Sequence, residues 1–521
     1  MTQNRSLLVF VVCLSLFAAG CGAGPSGRPD VAVEQNSPGQ PADTESEDPA
    51  PEPPALQVPV TDLSWQDCTS DTLGRYGYAP RTPGLILECA DFEAPVDASG
   101  EMFGSFSVGA LRARLDRTPA DAPPMVLTSG ADRASIETLA DMAAGQGATL
   151  LATNPVVAVD RRGIGRSTAV DCTKFDARAA LADLGQFAGA GGDTVDRAVT
   201  AGRDATIECT DLLQPQELAF ATSYAADDLE RLRLTWGVDS IGLIGTGNGA
   251  STALAFAAQY PDRLSRLVLD SPTGLGADQM TVAEQKTQGR EAAFTAFAGR
   301  CVALDCSLGP DPRAAVAELV QRARSGALRP LSTHALLDGI AYALASSAGD
   351  PTQRALALST TLSSARSGDT AALTQLADRA ADAYGTDGQF VARCTDGQQW
   401  PSPQAVRDAT GSWSELYPVF GTDAALAALA CASWPTAPAA PLPSELPIPV
   451  LLLSGAADPV VGNGGFAAVS GMIATTGTPA ASMTWQGAGH PTVGGSACAQ
   501  SAVAGYVADA ALPPDGSVCP A

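Results

Sequence analysis

Two side chains in the C-terminal part of the chain have the types and order that acid–base chemistry needs. His490 ends the small-residue segment Gly487–His490, and Asp458 lies in a turn after the apolar run Pro449–Ser454. A carboxylate that accepts a hydrogen bond from an imidazole orients the ring and stabilises its protonated form. The pair is therefore a candidate general base with its supporting acid.

An upstream segment has the pattern of a strand-to-helix turn that carries a nucleophile. Residues Gly245–Ala250 (GTGNGA) follow the apolar run Ile241–Gly245 and match G-x-S-x-G at both outer glycines. The central position, where a serine would attack a carbonyl carbon, is Gly247. Glycine tolerates the strained backbone of such a turn, so the sequence predicts that the turn is kept without its nucleophile. The backbone N–H of Asn248 remains a candidate oxyanion donor.

Other groups near this turn are weaker candidates for the missing role. Thr246 precedes the tip of the turn, so its side chain should point away from His490. Ser251 lies in the first helical turn, where packing or capping is the simpler role. The His490 and Asp458 pair could instead activate water directly. His334 has no evident carboxylate partner nearby in the sequence, and we interpret it as structural.

Short apolar runs and helical patterns around these segments predict a mostly parallel sheet with helices on both faces. Residues 58–275 form its first part, and residues 276–440 have only helical spacing, which predicts a helical lid or insertion. Residues 441–521 complete the sheet. The predicted strands are Pro124–Thr128, Val156–Asp160, Ile241–Gly245, Leu267–Asp270, Pro449–Ser454 and Ala481–Gln486, followed by a helix over about Ala497–Ala510.

The N-terminus has the pattern of an export signal followed by a lipid attachment site. Arg5 precedes the apolar run Leu7–Phe17, which is too short to span a bilayer, and Ala18–Cys21 (AAGC) resembles a lipobox. We expect residues 1–20 to be a signal peptide and Cys21 to carry the lipid. Residues 21–57 are rich in Pro, Ser, Asp and Glu, which predicts a disordered linker. The expected location is the outer face of the plasma membrane, with no contact with the membrane beyond the anchor.

Ten cysteines remain after Cys13 and Cys21, an even number that agrees with export and disulfide formation. Pairing between sequence neighbours is the simplest arrangement, although ten cysteines allow many others. The spacing does not fit a zinc site, since no CxxC pair and only two histidines occur. The expected pairs are Cys68/Cys89, Cys172/Cys209, Cys301/Cys306, Cys394/Cys431 and Cys498/Cys519.

The charge of the chain argues against nucleic-acid binding. Its formal net charge is −25, with 31 Lys and Arg against 56 Asp and Glu. An acidic surface repels phosphate backbones. We expect a monomer.

One further segment completes a resemblance to a known family. Asp160–Ser167 (DRRGIGRS) is similar to the D-x-R-G-x-G-x-S turn of α/β-hydrolases, and Tyr260–Leu264 (YPDRL) follows the helix after the GTGNGA turn. Over roughly residues 58–521, the chain resembles actinobacterial secreted tripeptidyl-aminopeptidase-like hydrolases of the prolyl-aminopeptidase branch. Its end, with Cys498 and Cys519, is similar to the TAP-like C-terminal domain of that family.

This resemblance implies an α/β-hydrolase fold and serine-dependent release of short peptides, or amidase or esterase activity, with no metal or cofactor. It places Asp458 and His490 as acid and base, but Gly247 replaces the nucleophile. The glycine-rich oxyanion loop of the family is also altered here to Thr128–Ala134 (TSGADRA), in which Asp132 would oppose negative charge. We therefore expect impaired catalysis and binding of a peptide or small acyl or amide ligand. The alternative is a residually active peptidase or esterase.

A remote alternative from another class is dinucleotide binding. Gly245, Gly247 and Ala250 also fit G-x-G-x-x-A between a strand and a helix, and Asp270 ends the next strand at a distance suited to a ribose contact. Such a motif normally opens its domain, whereas residues 58–244 precede it here.

Overall fold

The computed structural model describes residues 53–189 and 191–521. The predicted signal peptide, Cys21 and nearly all of the predicted linker lie outside the described residues. No described helix is long and apolar enough to cross a membrane.

The described chain is built on one ten-stranded sheet in the order β1-β2-β3-β5-β4-β6-β7-β8-β9-β10. Strands β5, β4, β6, β7, β8, β9 and β10 pair in parallel, and β1, β2 and β3 add an antiparallel edge. The strands are β1 Gln66–Asp67, β2 Leu85–Pro95, β3 Ser105–Leu115, β4 Met125–Thr128, β5 Val156–Val159, β6 Ile241–Thr246, β7 Leu264–Asp270, β8 Val450–Ala457, β9 Ala480–Ala488 and β10 Ser517–Cys519.

Helices cover both faces of this sheet. The α-helices are α1 Thr69–Tyr76, α2 Ser135–Ala144, α3 Ala148–Thr153, α4 Phe175–Ala182, α5 Thr194–Leu213, α6 Thr222–Trp236, α7 Gly249–Gln259, α8 Gln279–Ala303, α9 Pro312–Arg324, α10 Thr333–Ala345, α11 Pro351–Arg366, α12 Ala371–Tyr384, α13 Asp387–Asp396, α14 Pro403–Leu416, α15 Gly421–Ala427, α16 Gly465–Thr475, α17 Thr492–Gly495 and α18 Ala497–Asp509. A short 3-10 helix, Pro261–Arg263, precedes β7.

The core explains why the central strands are continuous apolar runs. Every residue of β4, β5, β6 and β7 is buried. Along each strand, alternate side chains enter one of two apolar clusters, as Leu243 and Ile244 do on β6. Strands buried on both faces are typical of a parallel sheet between two helix layers. The predicted α/β architecture is thus confirmed.

The antiparallel hairpin of β2 and β3 was not predicted. Its strands pair over their whole length, from Leu85 opposite Leu115 to Pro95 opposite Ser105. Arg112 and Arg114 on β3 both bind Glu88 on β2, at 2.8 and 3.0 Å. These charged cross-strand contacts interrupt the apolar pattern, so a search for apolar runs passes over the hairpin.

All the elements from α8 to α15 lie between β7 and β8, within the predicted insertion. Phe294, Leu319, Ile340 and Leu362 are central members of an apolar cluster confined to these helices and the segments joining them. The insertion therefore packs around a core of its own.

Five disulfides join the expected sequence neighbours, Cys68–Cys89, Cys172–Cys209, Cys301–Cys306, Cys394–Cys431 and Cys498–Cys519. Disulfides persist in oxidising compartments. They indicate an exported protein.

Candidate active site

The turn between β6 and α7 has the predicted form. Gly247 lies at its tip with φ +56°, a left-handed conformation that L side chains rarely adopt. A Cβ placed on Gly247 would lie 3.3 Å from Cε1 of His490 and 3.2 Å from Cγ1 of Val461. The tip therefore faces the histidine at the distance where a reactive side chain would meet it.

His490 and Asp458 form a buried pair. Nδ1 of His490 lies 2.7 Å from Oδ2 of Asp458, and the two side chains are 3% and 0% exposed. The other Asp458 oxygen accepts the backbone N–H groups of Val460 and Val461. Burial alone would lower the pKa of His490, but Asp458, with Asp270 and Asp132 further away, raises it above its usual value. The ring is therefore oriented, and its protonated form is stabilised.

Asp270 anchors the segment that follows His490. Its carboxylate accepts the backbone N–H of Thr492 at 3.1 Å and that of Val493 at 2.7 Å, and it is fully buried at the end of β7. Burial raises its pKa, and these N–H donors partly offset that rise. The proposed ribose contact of Asp270 is therefore wrong, because both oxygens are already bound to the backbone. The dinucleotide alternative loses the acid on which it depended.

Asp132 occupies the space in front of the turn. Its Oδ2 accepts the backbone N–H of Asn248 at 2.5 Å, the same donor that sequence reasoning assigned to an oxyanion. The same oxygen would lie 2.3 Å from a Cβ on Gly247, far inside contact distance. Burial raises the pKa of Asp132, while the positive charge of Lys286 and the Asn248 N–H lower it. A carboxylate thus takes the place of both a nucleophile's side chain and an oxyanion.

The loop carrying Asp132 is fixed to the turn by other contacts as well. Oδ1 of Asn248 accepts the backbone N–H of Ala131 at 2.8 Å and a guanidinium N–H of Arg161 at 3.3 Å. Gly130 has φ +60°, and a Cβ there would lie 2.3 Å from that Oδ1. Only glycine therefore allows the loop to approach Asn248 so closely.

The DRRGIGRS segment works as a structural clamp. Asp160 accepts the backbone N–H groups of Ile136 and Arg166, at 3.0 and 2.8 Å, and burial raises its pKa to about 7. Arg162 is 1% exposed and donates to both oxygens of Asp228, through Nη2 at 2.5 Å and Nε at 2.8 Å. Arg161 pairs with Asp396 of α13 at 2.7 Å. The arginines thus tie the turn to carboxylates of distant helices.

The other hydroxyls near the turn are engaged elsewhere. Thr246 is fully buried and its Oγ1 lies 3.0 Å from Oγ of Ser129, on the sheet side. Oγ of Ser251 lies 3.5 Å from Oγ1 of Thr273. Neither has a hydrogen bond to His490 in the part of the chain that the structure describes.

His334 has two carboxylate partners, one of which lies nearby in the sequence, contrary to the expectation. Its Nδ1 lies 2.8 Å from Asp423, and its Nε2 lies 3.3 Å from Asp338 one helical turn later. Burial alone would lower its pKa, but these two carboxylates raise it to about 9. The i, i+4 spacing to Asp338 was a signal in the sequence, because residues at this spacing share a helix face.

Two family models match the chain. The model described as "alpha/beta hydrolase fold" matches residues 141–304, which contain the DRRGIGRS segment and the turn at Gly247. The model described as "TAP-like protein" matches residues 417–519, which contain Asp458 and His490. Both parts of the candidate site therefore fall within matched regions.

Curated relatives match over a shorter region. The Serine protease Hip1 of Mycobacterium tuberculosis and that of Mycobacterium bovis are each 30% identical over 110 residues. This alignment covers 21% of this chain and 21% of each relative. The chain thus matches about a fifth of the length of these relatives.

Solved structures give a loose likeness to the fold. A proline iminopeptidase of Mycobacterium smegmatis is 14% identical, with 80% of this chain and 97% of that chain covered and a TM-score of 0.37. The esterase E22 is 14% identical, with 81% and 99% covered and a TM-score of 0.37. The sheet topology and the family-model match over residues 141–304 show that this chain has the α/β-hydrolase fold, and its residues 417–519 are similar to the TAP-like protein family.

Proposed function

We propose that this protein binds a peptide or a small acyl or amide ligand in front of the β6–α7 turn and does not hydrolyse it by a serine mechanism. The observation that carries this proposal is the position of Asp132. Its carboxylate accepts the Asn248 N–H and fills the space beside Gly247, where catalysis would need a nucleophile and an oxyanion.

The magnitudes favour binding over turnover. Loss of a triad serine costs on the order of 10⁶ in turnover, and binding with oxyanion donors leaves about 10³–10⁴ over water. One oxyanion donor contributes about 10²–10³. Here the Asn248 N–H is already bound to a negative charge, so that residual contribution falls as well. The buried Asp458 and His490 pair alone does not replace these losses.

The second candidate is hydrolysis by water that His490 activates. The observation that favours it is that Asp458 orients His490 toward a turn whose tip residue, Gly247, has no side chain. Asp132 opposes it, because its carboxylate fills the space beside Gly247 where the attacking water would lie.

The direct test is turnover of aminoacyl and tripeptidyl chromogenic amides and short acyl esters by the full chain. We expect no release above a His490→Ala control. Turnover that His490→Ala abolishes would overturn the proposal in favour of water activation. A Gly247→Ser variant, which would place a hydroxyl at the tip of the turn, needs a matched control. Gly276→Ser serves as that control, because Gly276 also has positive φ (+61°) and a Cβ there would meet nothing within 4 Å.

We also propose that the mature chain is anchored through Cys21 to the outer face of the plasma membrane. The AAGC segment and the export that the disulfides indicate support this anchoring. Metabolic labelling with a fatty acid should mark the wild type and not Cys21→Ala. Equal labelling of both proteins would contradict the proposed anchoring through Cys21.

A further inference from the structure

The helical insertion places two cations without a carboxylate partner above the β6–α7 turn. Lys286 lies on α8 and Arg393 on α13, and both side chains are half-buried. Within residues 53–189 and 191–521, neither forms an ion pair or donates a side-chain hydrogen bond, although Arg290 of α8 binds Asp338 at 2.9 Å. Partial burial removes part of the water that would otherwise stabilise these two charges.

Packing contacts fix where Lys286 lies. Three residues later, Gly289 packs on the backbone oxygen of Asp458, and a Cβ there would lie 2.0 Å from that oxygen. A Cβ on Gly462 would lie 2.1 Å from the backbone oxygen of Gln285. This part of α8 therefore rests on the loop from Asp458 to Gly462, the loop that brings Val461 to the tip at Gly247.

Packing also places Arg393 beside the Asp132 loop. Its neighbour Ala392 is buried in a small cluster with Ala131 and Ala134, which flank that loop. The far end of α13 is held by the ion pair of Arg161 with Asp396. Lys286 and Arg393 thus approach the same space from two helices.

Most of the charged groups around this space already have partners. His490 pairs with Asp458, and Arg290 and His334 share Asp338 and Asp423. Asp270 binds backbone N–H groups, which leaves Asp132 as the carboxylate that acts on Lys286 and Arg393 and has no ion pair within the described residues. Burial and the nearby arginines lower the pKa of Lys286 to about 8, because they disfavour its charged form.

We propose that Lys286 and Arg393 form a binding site for a carboxylate group of the ligand. A carboxylate would give both cations a partner, and a guanidinium can bind both oxygens of a carboxylate. Asp132 favours a singly charged carboxylate over a doubly charged phosphate ester, because its negative charge repels two charges more strongly than one. The inference rests on the proposed function only in using the same space, and it names the chemical class of the ligand: a peptide with a free C-terminal carboxylate, or a free carboxylic acid.

The chain has only two lysines, which makes the test selective. Reductive ¹³C-methylation of the full chain keeps both lysines cationic and gives one NMR signal set for each, assigned with Lys286→Arg. Lys174 is the internal control, because its side chain is 83% exposed and pairs with Glu208 at 3.5 Å. The probes are N-acetyl-alanyl-alanine and octanoate, each compared with its neutral amide or methyl ester, and inorganic phosphate.

We expect a saturable shift of the Lys286 signal with one or both carboxylates, no shift of Lys174 and none with the neutral probes. The peptide and octanoate arms distinguish the two sources of the carboxylate. Arg393→Met should weaken binding about tenfold or more, and Arg203→Met, an exposed arginine paired with Asp204, should not.

Three results would overturn the site: equal shifts with amide and carboxylate, equal shifts of both lysines, or no shift of Lys286. A Lys286 that the methylation reagent cannot reach would do the same, since the site must admit a ligand. The proposed function and the carboxylate site can fail separately. Turnover that depends on His490, together with a shift of the Lys286 signal, would contradict the proposed function and support the carboxylate site. Absence of both turnover and the shift would contradict the carboxylate site and leave the proposed function standing.

Discussion

The two sides of the candidate site differ in how they are held. On the base side, Asp458 and Asp270 are fully buried, and each accepts two backbone N–H groups. Those bound by Asp458 belong to its own loop, and those bound by Asp270 belong to the segment that follows His490. On the turn side, Gly247 has no side chain, and the half-buried Asp132 fills the space with one hydrogen bond to Asn248. The base side is thus part of the folded core, whereas the turn side depends on one partly exposed carboxylate.

The largest expected effect is on the base side. Asp270→Ala would leave the N–H groups of Thr492 and Val493 buried without an acceptor, so we expect a loss of about 3 kcal/mol in the free energy of unfolding. Urea denaturation followed by circular dichroism measures it. Asp270→Asn, which keeps one acceptor oxygen, should lose less. Equal stability of all three proteins would mean that the sheet does not hold the base side.

A pH-dependent effect distinguishes the insertion from the base side. The pKa of His334 is raised from 6.5 to about 9, so its stabilisation is fully present below pH 6.5 and is lost as pH rises through 9. The shift corresponds to roughly 2–3 kcal/mol. Urea denaturation at pH 6 and pH 9.5 should show this loss in the wild type and a smaller one in His334→Gln. The comparison with His334→Gln is needed because the pKa of Lys286 is lowered to about 8, so the contribution of Lys286 to the free energy of unfolding rises with pH. An identical pH dependence would contradict the paired state of His334.

The smallest expected effect is on the turn side. Asp132→Ala removes one hydrogen bond and one partly buried charge, so the free energy of unfolding should change by less than about 1 kcal/mol. The same urea experiment measures it beside Asp270→Ala. A loss as large as that of Asp270→Ala would remove the difference between the two sides.

The sequence carried much of the fold for a physical reason. The parallel strands are buried on both faces, so the runs at β4, β5, β6 and β8 stand out as continuous apolar segments. The hairpin of β2 and β3 was missed because its charged cross-strand contacts break that pattern.

For the site, local motifs located Gly247, His490 and Asp458 because each lies next to a strand end that the pattern defines. The contact of Asp132 with Asn248 could not be deduced from the sequence, since the two residues lie 116 positions apart. The sequence did give one signal: an acid in the loop where donors to an oxyanion are expected, in the same chain as a glycine at the tip. Lys286 and Arg393 gave none, because a charged residue on a predicted helix is normally assigned to solvent.

Fluorophosphonate labelling tests the central claim most directly. We compare the wild type, Gly247→Ser, Asp132→Ala and the double variant, with Gly276→Ser as the control. The serine Cβ alone would lie 2.3 Å from Asp132, so we expect full labelling only in the double variant, and its loss when His490→Ala is added. Labelling of the wild type, or of Gly247→Ser as fully as the double variant, would contradict the claim that Asp132 occupies the nucleophile's place. A folded double variant that stays unlabelled would contradict the claim that the turn has kept its catalytic geometry.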